Sequence, residues 1–374
     1  MENENVFRRA VDDSLAYASG WKTRNNKPVI GYFCSYVPEE IIYAAGALPF
    51  RVFADLPHTP HSDSHLQPYS CNYVRSVFEW ALSGKTEFID GFAFAQTCDT
   101  MQRFADIWQN NDLKGFALNL VLPARFDSES SNEYMQKVFV KFRKELEEKL
   151  NIEIHARKLS DSITLFNRIR HIVHEIYEIR LSKPGVMSNA DFYYFIKASS
   201  IMDRDDFLKE AEKVHKKLSE KTVPELNMKK VILVGGPCNI PEIFSYFDEA
   251  DIFVADDDLC NGARSFDTPV SPYGDLMASI TQRYFDRIAC PTKYKSLNHR
   301  QDLLLQLAGN IKADGVVYLQ EKFCEPHAFD YPYIKKVFED AGTPMVYVEM
   351  NSQTGNNEAL RNRLEAFFEM LKNK

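Results

Sequence analysis

Apolar runs that stop at a cysteine occur in matched pairs in the two outer thirds of this chain. They restrict it to folds in which strands deliver thiols to one edge of a sheet. Val29-Ile30-Gly31-Tyr32-Phe33 runs into Cys34, and Val231-Ile232-Leu233-Val234-Gly235-Gly236-Pro237 runs into Cys238. Asp90-Gly91-Phe92-Ala93-Phe94 precedes Cys98, and Asp314-Gly315-Val316-Val317-Tyr318-Leu319 precedes Cys324. Between these, Cys71 and Cys260 are each followed by Asn and then, four residues on, by Arg75 and Arg264. Short apolar runs bounded by turn residues read as buried strands. Soft thiolates converging from two domains suit an iron–sulfur centre.

The residues between those runs predict an alternating α/β pattern. Pro38-Glu39-Glu40 opens a helix with proline and acids in its first turn, as helix starts prefer, and Gly46 ends it. Pro49–Phe53 reads as the next strand, 55–70 as a polar surface loop, and Cys71–Leu82 as a helix closed by Gly84. Phe88–Phe94 and Phe116–Leu122 read as strands around a helix over Asp99–Trp108. Strands alternating with helices predict a parallel, doubly wound (Rossmann- or flavodoxin-like) sheet. The stretch 127–225 differs: no glycine separates Gly115 from Gly185 and no proline separates Pro123 from Pro184, so it reads as a helical connector or lid. From Lys230–Gly235 the alternation returns, with strands at Asp251–Ala255, Gly315–Leu319 and Pro344–Glu349 and helices at Leu276–Ile288, Asn298–Leu307, Tyr331–Ala341 and 357–372. The expected organisation is an α/β domain over 1–126, the connector over 127–225 and a second α/β domain over 226–374.

Composition narrows the function classes. Lys plus Arg total 45 against 53 Asp plus Glu, a net charge of -8. That balance argues against a protein held to nucleic acid by phosphate neutralisation. No apolar run approaches the ~20 residues of a membrane span, and Met1–Asn5 lacks the basic-then-apolar pattern of a secretory leader. A cytoplasmic protein is the expectation. Seven cysteines in such a chain point to metal or redox use rather than a disulfide framework.

Ligands of open α/β sheets sit beyond the carboxyl ends of the strands. Cys34 and Cys238, each followed by a Pro-Glu helix start, and Cys98 and Cys324, each after a strand, lie there. Helix N-termini favour thiolate, the form that binds metal. Cys71, at a loop-to-helix junction, can fold over the same edge. His327, Glu325 and Asp330, just after Cys324, are candidate proton donors or supports of the centre. Asp256-Asp257-Asp258 reads as a solvated turn and Cys290 as a structural cysteine without a partner. His171 and His174 lack companions for a metal site.

Gly31–Ala47, Thr97-Cys98-Asp99-Thr100, Asp257–Gly262, Lys322–Pro332 and Tyr347-Val348-Glu349 resemble blocks of the 2-hydroxyacyl-CoA dehydratase and benzoyl-CoA reductase family. The likeness runs from about residue 20 to the C-terminus. It implies an oxygen-sensitive [4Fe-4S] component held by three cysteines, at the positions of Cys71, Cys98 and Cys324, with an open fourth iron site. It also implies a separate ATP-hydrolysing activator that supplies one low-potential electron to an acyl-CoA substrate, through a ketyl-type radical. The outcome is loss of a β-hydrogen and the α-hydroxyl, or reduction of an aromatic ring. Consistent with a separate activator, the chain has no G-x-x-x-x-G-K-S/T phosphate loop.

Two branches of the resemblance stay open. In the leading one the chain pairs with a paralogous subunit in a heterodimer. In the other it resembles the double-cubane proteins, in which an [8Fe-9S] cluster held by six cysteines reduces small molecules, here as a homodimer. Cys34, Cys71, Cys98, Cys238, Cys260 and Cys324 supply that number. A third expectation, from a different class, is a non-catalytic α/β binding protein with buried cysteines.

Overall fold

Two four-stranded sheets repeat one strand order. A computed structural model describes residues 6–351 and 357–373, so Met1–Asn5, on which the leader reading rests, lies outside the described residues. β1 (Val29–Tyr32), β2 (Leu48–Arg51), β3 (Gly91–Ala95) and β4 (Phe116–Leu120) form the first sheet. β5 (Lys229–Gly235), β6 (Ile252–Asp258), β7 (Gly315–Glu321) and β8 (Met345–Met350) form the second. Their orders are β2-β1-β3-β4 and β6-β5-β7-β8, and every pair is parallel. Parallel neighbours need a crossover, and helices on both faces supply it, which is why these strands read as continuous apolar runs. The expected class, two similar doubly wound α/β domains, is the one the chain adopts. Because β1 matches β5, β2 matches β6 and β3 matches β7, the three cysteine pairs fall at equivalent ends of one duplicated topology.

Aromatic rings fill the first sheet where glycine leaves room. A Cβ on Gly31 would collide with the ring of Phe92, and one on Gly91 with that of Phe116. Phe92 in turn lies 4.4 Å, centroid to centroid, from Trp108, which also meets Phe33, Phe78, Phe94 and Phe104. Each such ring pair contributes about 0.5–1.5 kcal/mol beyond the area it buries. Cys98 packs against the cluster this block belongs to, whereas Cys34 packs on the opposite one.

The helical middle belongs to the core. Helix Ala156–Ser182 turns Ile163, Phe166, Ile169, Val173 and Ile176 inward at the three-to-four-residue spacing of an amphipathic helix. It packs on helices Glu39–Ala44 and Arg204–Glu220, and helix Asn189–Ala198 packs on helix Glu242–Glu249. One apolar cluster therefore runs from Phe33 and Trp108 through Val173 and Phe195 to Leu233 and Phe368. Helix Leu276–Asp286, from the last third, crosses to the first sheet, where Ile280 and Tyr284 share a core with Phe139, Phe142 and Ile30. The chain returns past Phe126, whose N–H donates to the carbonyl of Tyr294, while the Tyr294 N–H donates to Ala124.

Two local expectations are corrected. Asp256-Asp257-Asp258 is not a solvated turn: it is the end of β6, with Asp257 and Asp258 buried. A register shift opposite Val231 and Ile232 turns these residues inward, and Tyr177, Arg264 and Arg300 satisfy them. The helix expected from Tyr331 begins at Glu325 and carries Pro332 inside it. Proline is tolerated in the first turn, where Pro326 sits, but read from sequence Pro332 looks like a boundary. Among the described residues no helix is long and apolar enough to cross a membrane.

Candidate metal centre

Three thiols occupy the same structural position, the N-cap of a helix that follows a strand. Cys71 caps helix Asn72–Leu82 after β2, Cys98 caps helix Asp99–Asn110 after β3, and Cys324 caps helix Glu325–Asp340 after β7. None makes a full capping hydrogen bond through its sulfur, although the N–H groups of Val74, Met101 and His327 face the three thiols. The three lie within electrostatic reach of one another: ionising Cys98 would raise Cys71, and ionising Cys71 or Cys98 would raise Cys324. Two come from the first sheet and one from the second, so the group spans the cleft between the sheets.

Burial outweighs the helix dipoles here. It pushes the Cys71 and Cys98 thiols up to about 12, and Cys324 further from its ordinary value, with the neighbouring thiols adding to the rise. Without a cation between them these groups stay protonated at neutral pH. A bound metal reverses that balance by taking the thiolates as ligands and releasing their protons. No three described His, Cys, Asp or Glu side chains converge on a point where one metal ion would sit. Soft sulfur donors are the ligand chemistry that an iron–sulfur cluster takes.

The other four cysteines fall into different settings. Cys34, after β1, shares a contact of 3.5 Å with Thr97 Oγ1, beside Cys98. Burial raises its thiol, and the charges of Cys260 and Cys290 add to the effect. Cys260, after β6, accepts from Arg51 Nη2 at 3.1 Å and lies 4.0 Å from Ser35 Oγ. Burial would raise it, but the guanidinium groups of Arg51 and Arg264 hold it below its ordinary value. Cys238 is fully buried, its sulfur 3.9 Å from the carbonyl of Ile240, and burial pushes it up to about 12. Cys290 packs against the core that the first sheet shares with helix Leu276–Asp286. Its charge acts on Cys34, Cys98 and Cys324, and its N–H donates to Tyr36 Oη at 3.3 Å. Its position was illegible because residues 276–290 come back to this edge only after crossing to the other sheet.

The residues after Cys324 divide. His327 Nδ1 is 3.3 Å from Cys324 Sγ, and the ring is buried. Burial, with Arg264 and Arg300, holds His327 well below its ordinary value, so it is neutral. Its Nε2 has no hydrogen-bond partner among the described residues. Glu325 is exposed in the first turn of its helix. Asp330 accepts from Arg300 Nε at 2.9 Å, and the same guanidinium donates to Asp258 at 2.7 Å and to the Ala289 carbonyl at 2.8 Å. Sequence reasoning missed Glu321, at the end of β7. Burial and Asp55 push its carboxyl well up, against the pull of the Asn72 and Tyr73 N–H groups, and its charge acts on Cys71. The paired Arg75 and Arg264 stitch loops: Arg75 donates to the carbonyls of Ser70 and Gln67, and Arg264 to that of Asp258 at 2.7 Å.

The family model described as "2-hydroxyglutaryl-CoA dehydratase, D-component" matches residues 34–371, a span that contains all seven cysteines. The chain belongs to that family. It is 23% identical over 371 residues to the (R)-phenyllactyl-CoA dehydratase beta subunit of Clostridium sporogenes, covering 98% of each chain. With the beta subunit of the lactoyl-CoA dehydratase of Anaerotignum propionicum it shares 24% identity, over 97% of this chain and 95% of that one. With a subunit of the benzoyl-CoA reductase of Thauera aromatica it shares 25%, over 96% and 95%. As a member of the 2-hydroxyglutaryl-CoA dehydratase D-component family, the chain is a dehydratase- or benzoyl-CoA-reductase-type enzyme component. The sequence resemblance to this family is thereby established along its whole length.

Proposed function

We propose that this chain is a [4Fe-4S] subunit of an enzyme that dehydrates a 2-hydroxyacyl-CoA or reduces an aromatic acyl-CoA, with Cys71, Cys98 and Cys324 as its ligands. The observation that carries the reading is the set of three helix N-cap thiols drawn from both sheets and within electrostatic reach of one another, within a full-length family match. When bound, such a cluster supplies single-electron transfer at low potential. The chain's own residues do the rest. His327 braces Cys324 through Nδ1 and is the first candidate proton donor. Glu325, on the exposed side of the same turn, is the second candidate proton donor. The cluster containing Phe33 and Trp108 excludes water behind Cys71 and Cys98. A paralogous subunit completes the enzyme, as the relatives named beta subunits suggest, and a separate ATP-hydrolysing activator delivers the electron in the cytoplasm.

The double-cubane alternative needs six cysteine ligands. Full burial of Cys238, with its sulfur turned to the Ile240 carbonyl, favours the four-iron reading. Anaerobic purification with iron and sulfide counting tests it. About four irons per chain is the expected result, and about eight supports the alternative. A colourless, iron-free protein after anaerobic reconstitution overturns both.

A further inference from the structure

Four buried arginines line a narrow cavity of about 40 Å3 between the helical middle and the strand ends. Arg51 closes β2, Arg170 lies on helix Ala156–Ser182, Arg204 opens helix Arg204–Glu220, and Arg283 lies on helix Leu276–Asp286. Phe166, Ile196 and Phe266 form the apolar part of the wall, so charge inside it is weakly screened. Cys71, Cys98 and Cys324 are not part of this wall.

The guanidinium groups outnumber the carboxylates around them. Glu39 accepts from Arg204 Nη2 at 2.7 Å, and Glu40 is paired with Arg170. Arg51 hydrogen-bonds two carbonyls and the Cys260 sulfur. Arg283 donates to the carbonyls of Thr268 at 2.8 Å and Ser265 at 2.7 Å, while the carboxylate of Asp267 stands 4.0 Å off. The charge of Asp267 also acts on buried Arg287. Asp203, beside Arg204 in the chain, caps the helix at its surface end. Five guanidinium groups, Arg287 included, thus share Glu39, Glu40 and Asp267. Even with Cys260 ionised, a positive charge is left over. Burial, with the charge of Arg170 next, holds Arg283 down to about 10, as befits a cation without a close countercharge. An uncompensated buried charge is strongly unfavourable.

The cavity also offers an unused donor. Arg204 is 1% exposed, and its Nε has no hydrogen-bond partner among the described residues. A water needs roughly 10–15 Å3 of such space, so this cavity takes roughly two or three waters or a single small anion. Only the anion balances the charge. We infer that the cavity binds one compact monovalent anion of chloride size, held by the arginines that line it. The bound anion clasps β2, the helical middle and helix Leu276–Asp286 together, and the site is independent of the iron content proposed above.

Urea unfolding of the full-length, anaerobically prepared chain tests it. Chloride replaces gluconate, an anion too large for the cavity, at constant ionic strength. The midpoint is expected to rise and then saturate as chloride is added, because the folded chain alone has the site. Arg283→Lys, which keeps the charge, is expected to retain this rise, and Arg283→Gln to lose it. In crystals of the unsubstituted chain grown with bromide, anomalous diffraction at the bromine edge is expected to show a peak among Arg51, Arg170, Arg204 and Arg283. A midpoint that does not rise with chloride, together with water alone between the arginines in the bromide crystals, overturns the inference. A chloride effect as large in Arg283→Gln as in the parent overturns it too, since the anion then binds elsewhere.

Discussion

Arg51 Nη2 lies 3.1 Å from the sulfur of Cys260, joining the end of β2 in one sheet to the end of β6 in the other. The same guanidinium donates to the Cys260 carbonyl at 3.0 Å and the Phe33 carbonyl at 3.3 Å. One side chain thus ties together three of the strand ends around the cleft, and it does so with a thiol as one acceptor. Cys260 is therefore the cysteine whose charge the protein itself stabilises, where the helix-capping thiols depend on a cation from outside.

Replacing Arg51 by Met removes that donor while keeping much of the volume. Cys260 is expected to label several-fold more slowly at pH 7.5, about the pH where its thiolate fraction matters. Two buried carbonyls lose their donor, so stability is expected to fall by roughly 2–3 kcal/mol. Labelling rates and urea midpoints read the two effects separately. Unchanged Cys260 labelling would mean that Arg264 alone holds the thiolate.

Much of this cleft was legible in the chain, because strands buried on both faces announce themselves as unbroken apolar runs. β1, β5 and β7 and the turns bearing Cys34, Cys238 and Cys324 follow from that rule. Three things did not follow. The crossing of helix Leu276–Asp286 to the first sheet is set by long-range packing of Ile280 and Tyr284, which no local pattern encodes. The aspartates of β6 read as a turn because their burial is compensated by Arg264 just downstream and by Tyr177 and Arg300, which are distant in sequence. Glu321 carries no signal in the sequence, because the Asn72 and Tyr73 N–H groups that face it come from a helix far away in the chain.

Cysteine replacements separate ligands from neighbours. Cys98→Ser and Cys324→Ser are expected to lose most of the iron, whereas Cys238→Ser retains it. Cys238 is buried, so its hydroxyl variant is expected to lose roughly 1–2 kcal/mol of stability for packing reasons alone. Iron and sulfide assays on anaerobically prepared chains decide the point. Iron loss in Cys238→Ser with a native melting curve would shift the assignment to the six-cysteine cluster.

Glu40, with no exposed surface, is paired with buried Arg170 and accepts from Tyr284 Oη at 3.2 Å. Burial would raise its carboxyl, but Arg170 and Arg283 hold it below the usual range. Breaking the pair leaves a buried charge without its partner. Arg170→Met is expected to cost roughly 3–5 kcal/mol, and Glu40→Gln in the same chain to restore much of it. Denaturant midpoints of the two single variants and the double variant form the cycle. Strict additivity of the two losses would show that the pair is not coupled.

Asp256 gives the fold a pH dependence that can be isolated. It lines a cavity of about 410 Å3 beside Asp257 and Asp258. Burial, with the charge of Asp257 next, raises its carboxyl from 3.8 to about 7. The folded chain therefore holds this proton over a range in which the unfolded chain has lost it. Stability from this source is complete below about pH 4 and drains away as pH climbs to 7, because the unfolded state then binds fewer protons than the native one. Three pH units correspond to roughly 4 kcal/mol at most, and partial exposure of the residue trims that figure. Asp256→Asn keeps an acceptor for the Asp257 N–H, which now bonds Oδ1 at 2.7 Å, and removes the charge. The variant is expected to be more stable than the parent by roughly 1–3 kcal/mol at pH 8, with the gap closing toward pH 4. Urea unfolding of both chains across that range measures it, and a gap that does not vary with pH would mean that Asp256 ionises normally in the folded protein.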